Sequence, residues 1–196
     1  MTGTTLGSQP IPSIDLYWIP LGAGQHVVRF SGKLFEIASA LRQRRRPCDL
    51  YHSALVVAGV AGRFVIEMTP VEANGSQRGV VAQGPVGTKW AGRFRLFRYE
   101  VRCWKDGNIP DAIAAVSTTR VAIDEAPVAR IVELARSIPT PTWGRDELRT
   151  GEMWNSNSVT SWLLASAGID LADIAPPHNG RAPGWIAGLL VADRQS

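Results

Sequence analysis

The stretch LYHSALVVAGVAGRFVIEM, residues 50–68, restricts the fold more than any other part of the chain. Leu50–Ala58 is apolar and rich in β-formers, and Arg63–Met68 is a second run of the same kind. The glycines between them, from Gly59 to Gly62, supply a turn, so the two runs are predicted to pair as an antiparallel hairpin. A chain built on such a hairpin must cover at least one of its faces.

The remaining elements are read around that hairpin. Ile14–Ile19 is predicted as a short strand, ended by Pro20 and Gly22. Leu34, Ile37, Ala38 and Leu41 follow the i, i+3, i+4, i+7 spacing of a helix over 33–45, which Pro47 stops. Residues 69–92 are glycine-rich and lack periodicity, and are predicted as a long binding or lid loop with a short strand at Gly79–Ala82. RFRLFRYEVRCW, 93–104, reads as a strand whose alternation slips phase, which predicts a β-bulge near Leu96–Phe97. A helix over 126–137 takes Asp124 as its cap and Pro127 in its first turn. WGRDELRTGEMW, 143–154, reads as an ordered loop, and a further helix covers 157–167 with Gly168 at its end. The apolar run 185–192 is either a last strand or a docked helical turn. The order of elements gives an α+β chain, read as one domain over 1–196.

Composition narrows the class. At 196 residues, with 45% apolar and 19% charged residues, the chain suits one globular core. No apolar run is long enough to cross a bilayer, and the first residues do not resemble a secretory signal, so the expected compartment is the cytoplasm. Cys48 and Cys103 form neither a disulfide framework nor a metal motif and read as buried thiols. The net charge of +4 is carried mostly by arginine, since Lys33, Lys89 and Lys105 are the only lysines; this usage fits a GC-rich, bacterial genome. The basic run 42–46 either touches nucleic acid or anionic lipid or, as the plainer reading, is a solvated helix end complementing the helix dipole. With no aromatic-interleaved or second basic cluster beside it, no nucleic-acid partner is expected.

Chemistry is suggested by NSNSVTSWLL, 155–164. Val159, Trp162 and Leu163 share a helical face, which puts Ser156 or Asn157 at the N-cap. Free N–H groups and the positive dipole end meet there, and stabilise a nucleophile or an oxyanion. The plainer alternative is that Ser156, Asn157 and Ser158 only cap the helix. His52 opens the first hairpin strand and Glu67 lies on the return strand; each is an ordinary strand residue or, together, a base with its orienting carboxylate. His26 and His178 read as loop histidines. Trp143, Trp154 and Trp185 either wall a cleft or belong to the core, and Arg145, Asp146 and Glu147 either hold a polar substrate group or pair among themselves.

The hairpin motif Tyr51-His52-Ser53-Ala54-Leu55-Val56-Val57 with Phe64-Val65-Ile66-Glu67-Met68, followed later by Asn155-Ser156-Asn157-Ser158-Val159, resembles the circularly permuted papain-like proteins, the permuted NlpC/P60 group that includes lecithin:retinol acyltransferase-like members. The likeness covers about a fifth of the chain. It implies a papain-like α+β fold with His52 as base, Glu67 as orienting residue and Ser156 at the nucleophile position. Asn155, Asn157 and Trp154 would then surround the oxyanion and substrate. The activity implied is hydrolysis or acyl transfer on an amide, ester or thioester with a peptide, lipid or acyl substrate, and without metal or other cofactor. Ser156 departs from the cysteine of that family. A serine there is an introduced replacement, a true serine nucleophile, or the mark of a silent binding module for a peptide or lipid.

Overall fold

A computed structural model of the protein describes residues 11–21, 44, 46–71, 77–109 and 115–196. The predicted helix at 33–45 and His26 lie outside these residues, as does most of the basic run 42–46.

Among the described residues six strands form one sheet: β1 (Ser13–Pro20), β2 (Tyr51–Gly59), β3 (Gly62–Pro70), β4 (Val80–Pro85), β5 (Arg98–Lys105) and β6 (Ser117–Ala122). Their order is β4-β5-β3-β2-β1-β6, and every neighbouring pair is antiparallel. Among the described residues three α-helices accompany the sheet: α1 (Glu125–Leu134), α2 (Ser156–Ser166) and α3 (Trp185–Asp193). The architecture is therefore α+β, as expected.

The predicted hairpin is the centre of this sheet. Leu55 pairs with Ile66 and Gly59 with Gly62, while Ile14 of β1 lies opposite Val57. Alternation along these strands divides their side chains between two faces. Ile14, Leu16, Trp18, Tyr51, Leu55, Val57, Ile66, Met68 and Val101 enter the main core. Val128 and Ile131 of α1, Val159 and Leu163 of α2, and Val191 of α3 close that core from above. The other face carries a smaller cluster of Ile19, Ala54, Val56, Val65 and Ile109.

Several boundaries differ from expectation. The strand predicted at 93–104 starts only at Arg98; Ala91–Arg93 and Arg95–Phe97 are short 3₁₀ turns. Gly92 explains part of this. A Cβ there would meet Pro85 Cβ at 2.7 Å, and the Arg98 side chain donates to the Gly92 carbonyl at 2.5 Å. The chain is thereby folded back against β4 instead of running on as a strand. The register shifts occur elsewhere, between Val80 and Ala82 and between Ile14 and Asp15. β4 is longer than the strand expected at Gly79–Ala82, and β6 has no counterpart in the sequence reading. Asp124 occupies the N-cap of α1 without a side-chain cap bond. The 185–192 run is helical, ending the choice between strand and helix. Both cysteines are half-buried, and burial pushes the Cys103 thiol up to about 11. No helix among the described residues is long and apolar enough to cross a membrane.

Candidate functional site

The polar cluster before α2 is a fastening. Asn155 is the N-cap, and its Oδ1 accepts from the backbone N–H groups of Asn157 at 2.9 Å and Ser158 at 3.4 Å. Ser158 Oγ accepts from Asn155 N at 3.1 Å, which completes a capping box. Asn155 Nδ2 donates to the Pro183 carbonyl at 2.8 Å, and Ser158 Oγ donates to the Gly184 carbonyl at 2.8 Å. Ser161 Oγ continues the seam to the Trp185 carbonyl at 2.7 Å. Glu152 Oε2 in turn accepts from Gly184 N and Ile186 N. The tip of α2 is thus tied to the turn that opens α3.

Two glycines make this closeness attainable. Gly184 has φ +87, and a Cβ on it would stand 2.6 Å from Asn155 Oδ1. A Cβ on Gly188 of α3 would collide with Ser161 Oγ and the Ser158 carbonyl, so α3 rests directly on α2.

Asn157 joins the helix to the sheet. Its Oδ1 accepts from Ser53 Oγ at 2.9 Å; its Nδ2 donates to the carbonyls of Tyr51 and Pro183, each at 2.9 Å. Ser53 is 1% exposed and Asn157 2%. The β2 side chain that faces the helix is therefore Ser53, one place after His52. The helix side chain that meets it is Asn157, one place after Ser156.

That single step corrects the expected triad. His52 pairs with Ile19 and shares the face of Ala54 and Val56, whereas α2 packs on the face of Ser53 and Leu55. His52 and Ser156 are on opposite sides of the sheet, and no hydrogen bond joins them. Ser156 is buried at the first turn of the helix. The cap also competes with the oxyanion roles expected of Asn155 and Asn157: the N–H groups of Asn157 and Ser158 are already bound to Asn155 Oδ1. Trp154 lies in the main core rather than beside an open subsite.

His52 and Glu67 do share a face, as expected. The β2–β3 pairing ends at Leu55 and Ile66, and alternation beyond it puts His52 and Glu67 on the same face of their strands. Glu67 also faces Arg102 across β3 and β5. The Arg102 guanidinium grips Glu100, which is 2% exposed. This second face therefore holds a band of His52, Glu67, Glu100 and Arg102. His52 is enclosed on most sides but keeps a strip of accessible surface, and its enclosure lowers the imidazole pKa to about 4. It is neutral at pH 7.

The open concavity is elsewhere. A cleft of about 490 Å³ is lined by Gly87, Thr88, Lys89, Arg145, Asp146 and Glu147. A second hollow of about 290 Å³ adjoins it across Lys89. Trp143 anchors the cleft to the end of β4, since its N–H donates to the Pro85 carbonyl at 2.8 Å and its carbonyl accepts from Gly87 N at 2.9 Å. Arg145 Nε donates to the Gly87 carbonyl at 2.7 Å. Glu147 accepts from Thr142 N and Oγ1 and lies 3.6 Å from Lys89 Nζ; the Thr142 N–H bond leads the effects that hold its pKa low. Asp146 is held low chiefly by the Thr150 N–H. These three charged residues line the cleft and are fixed by bonds to Gly87, Thr150, Gly151, Thr142 and Lys89. Trp143 and Trp185 pack on Tyr99 and Trp18 respectively, and His178 stands in an exposed turn at φ +53. Among the described residues no group of three or more His, Cys, Asp or Glu side chains is arranged to hold a metal ion.

Compared with protein-family models, curated proteins and solved structures, the chain finds no match.

Proposed function

We propose that the chain is a papain-like α+β module that binds a peptide without cleaving it. The observation that carries this reading is the pair where the helix tip meets β2: a hydroxyl, Ser53, donating to an amide oxygen, Asn157. Neither group is a base at neutral pH, and neither is exposed. A nucleophile needs an imidazole or an equivalent base within hydrogen-bond reach, and His52 is on the wrong side of the sheet. The likeness of the hairpin and helix to permuted papain-like proteins supports the scaffold. The cleft at Gly87–Lys89 and Arg145–Glu147 supplies the binding site. Charges of both signs lining an open cleft suit the alternating polar groups of an extended peptide.

Two measurements test the two halves of the proposal. Ser156→Cys, buried and without a base beside it, should be alkylated by iodoacetamide only slowly, with a rate that rises above about pH 8. Fast alkylation at pH 6 that His52→Ala abolishes would restore the catalytic triad. For binding, hexapeptide pools of acidic, neutral and basic composition are titrated into labelled protein. Amide shifts should centre on Thr88, Lys89, Arg145 and Glu147 and weaken in Arg145→Glu. Shifts centred at Tyr51 and Ser156 instead would refute the assigned cleft.

A further inference from the structure

The segment Lys89–Arg98, KWAGRFRLFR, carries an arrangement that the cleft does not explain. Trp90 is 65% exposed and Leu96 76%, and Phe94 and Phe97 are also exposed. Lys89, Arg93, Arg95 and Arg98 are interleaved with them, and no acid occurs anywhere from Gln77 to Tyr99. The expectation that no aromatic-interleaved basic cluster exists is therefore incorrect; reading the segment as a strand hides it. It is also well held. Ala91 N donates to Thr88 Oγ1 at 3.2 Å, Phe94 N to the Ala91 carbonyl at 2.9 Å, and Phe97 N to the Phe94 carbonyl at 3.0 Å. A clustered apolar surface on a fixed backbone marks an interaction site.

We infer that this segment docks the protein on an anionic membrane surface. Trp and Phe with flanking Lys and Arg form the side-chain set that lodges at the headgroup level, rings inward and cations on the lipid phosphates. The charge pattern fits a negative surface and opposes a second copy of the same patch, which would bring cations against cations. Single-stranded nucleic acid fits less well. A base needs a flat ring face, whereas Trp90 and Phe94 are turned edge to face at 5.7 Å with a 69° interplanar angle. The most exposed side chain is moreover Leu96, which offers nothing to stack on. Insertion of Trp90, Phe94, Leu96 and Phe97 requires no spanning helix.

The inference does not rest on the peptide cleft, and its test leaves Arg145 untouched. Vesicles of phosphatidylglycerol mixed with phosphatidylcholine are sedimented with the full chain, beside vesicles of phosphatidylcholine alone. Binding is expected to the anionic vesicles only. Arg93→Glu should weaken it by more than the fivefold or so that removing one cation costs, because it also adds a negative charge. Leu96→Glu combined with Phe97→Glu should abolish it, while the thermal melt of each variant stays within a few degrees of the native chain because these side chains are exposed. Equal binding to both vesicle types would overturn the inference, and so would anionic binding that survives the Leu96 and Phe97 changes. A single-stranded oligonucleotide that binds the chain and displaces it from vesicles, with binding lost in Trp90→Ala but not in Leu96→Glu, would overturn it in favour of a nucleic-acid partner.

Discussion

Replacing Asn157 and Ser156 separately by alanine distinguishes a structural helix tip from a catalytic one. Asn157→Ala removes one acceptor and two donors from a buried site. The Ser53 hydroxyl loses its acceptor, and the carbonyls of Tyr51 and Pro183 lose a donor. A buried polar group left unsatisfied costs about 1–3 kcal/mol. The Pro183 carbonyl still accepts from Asn155 Nδ2, so about 1 kcal/mol for the Tyr51 carbonyl and about 1–2 for the hydroxyl give a loss of roughly 2–3 kcal/mol. Ser156→Ala removes a hydroxyl with no hydrogen-bond role in this network, so its effect should stay within about 0.5 kcal/mol. Urea unfolding followed by tryptophan fluorescence measures both, and the m-value checks that the unfolded state is unchanged.

Asn157→Asp sharpens the comparison. The shape is retained, but a carboxylate oxygen replaces the amide nitrogen that faces two carbonyls. The buried charged form is disfavoured, so the folded-state pKa of the new acid lies above its unfolded value. By linkage its destabilisation is full above the folded pKa and shrinks as pH falls through it. The variant should therefore be weakest near neutral pH and approach the parent in acid. A Ser156→Ala loss larger than that of Asn157→Ala would refute the reasoning, as would an Asn157→Asp variant as stable as the parent at pH 7.

Other expectations follow from the same structure. His52 has a pKa of about 4 against 6.5 for the free side chain, so the unfolded chain takes up a proton first as pH falls. The full shift corresponds to about 3 kcal/mol; discounting for its accessible strip, stability should drop by about 1–2 kcal/mol between pH 6.5 and 4, and His52→Gln should flatten that part of the pH curve. Glu100→Ala removes the buried carboxylate that the half-buried Arg102 grips and should cost about 3 kcal/mol in urea unfolding, whereas exposed Glu133→Ala, paired with Arg130 at 3.5 Å on the α1 surface, should change it by less than about 0.5. Gly188→Ala must push α3 off α2 and should lower stability by about 1–3 kcal/mol, readable as a lower melting temperature.

The sequence showed the hairpin, the helix beneath its own cap and the α+β class, but placed the site one residue out of phase on both partners. The reason lies in the burial of β2. Tyr51, Leu55 and Val57 are buried on one face, and Ala54 and Val56 on the other. A strand covered on both sides has no polar stripe to announce which face the helix will take, and a one-residue error reverses every side chain. Helix α2 presents the same difficulty, since everything from Ser156 to Leu164 is buried. Its periodicity located the helix without fixing which polar residue would face β2. The segment at 93–97 failed differently. Alternating Arg and Phe is the pattern of a strand, and only the close approach of Gly92 to Pro85, distant contacts invisible in a local window, turned it into 3₁₀ turns. The Pro183–Gly184 turn that claims Asn155 and Ser158 was equally beyond reach, because nothing local to either segment specifies the other.

A helix N-terminus is an anion site only while its donors are free. At α2 the N-cap N–H is taken by Ser158 Oγ, and the next bonded pair, on Asn157 and Ser158, by Asn155 Oδ1. Asn155 Nδ2 and the second bond of Ser158 Oγ are spent on the neighbouring turn. The field of the helix remains, but the N–H groups of Asn155, Asn157 and Ser158, three of those that would deliver it to a developing oxyanion, already point at fixed partners in a closed interior. Opening them for chemistry would break the capping box and the bonds to Pro183 and Gly184 together, and with them the contact of α3 on α2. The same bonds that make this tip a good joint work against a catalytic role for it, and the recognition we propose falls instead to the cleft at Lys89 and the cationic aromatic segment that follows it.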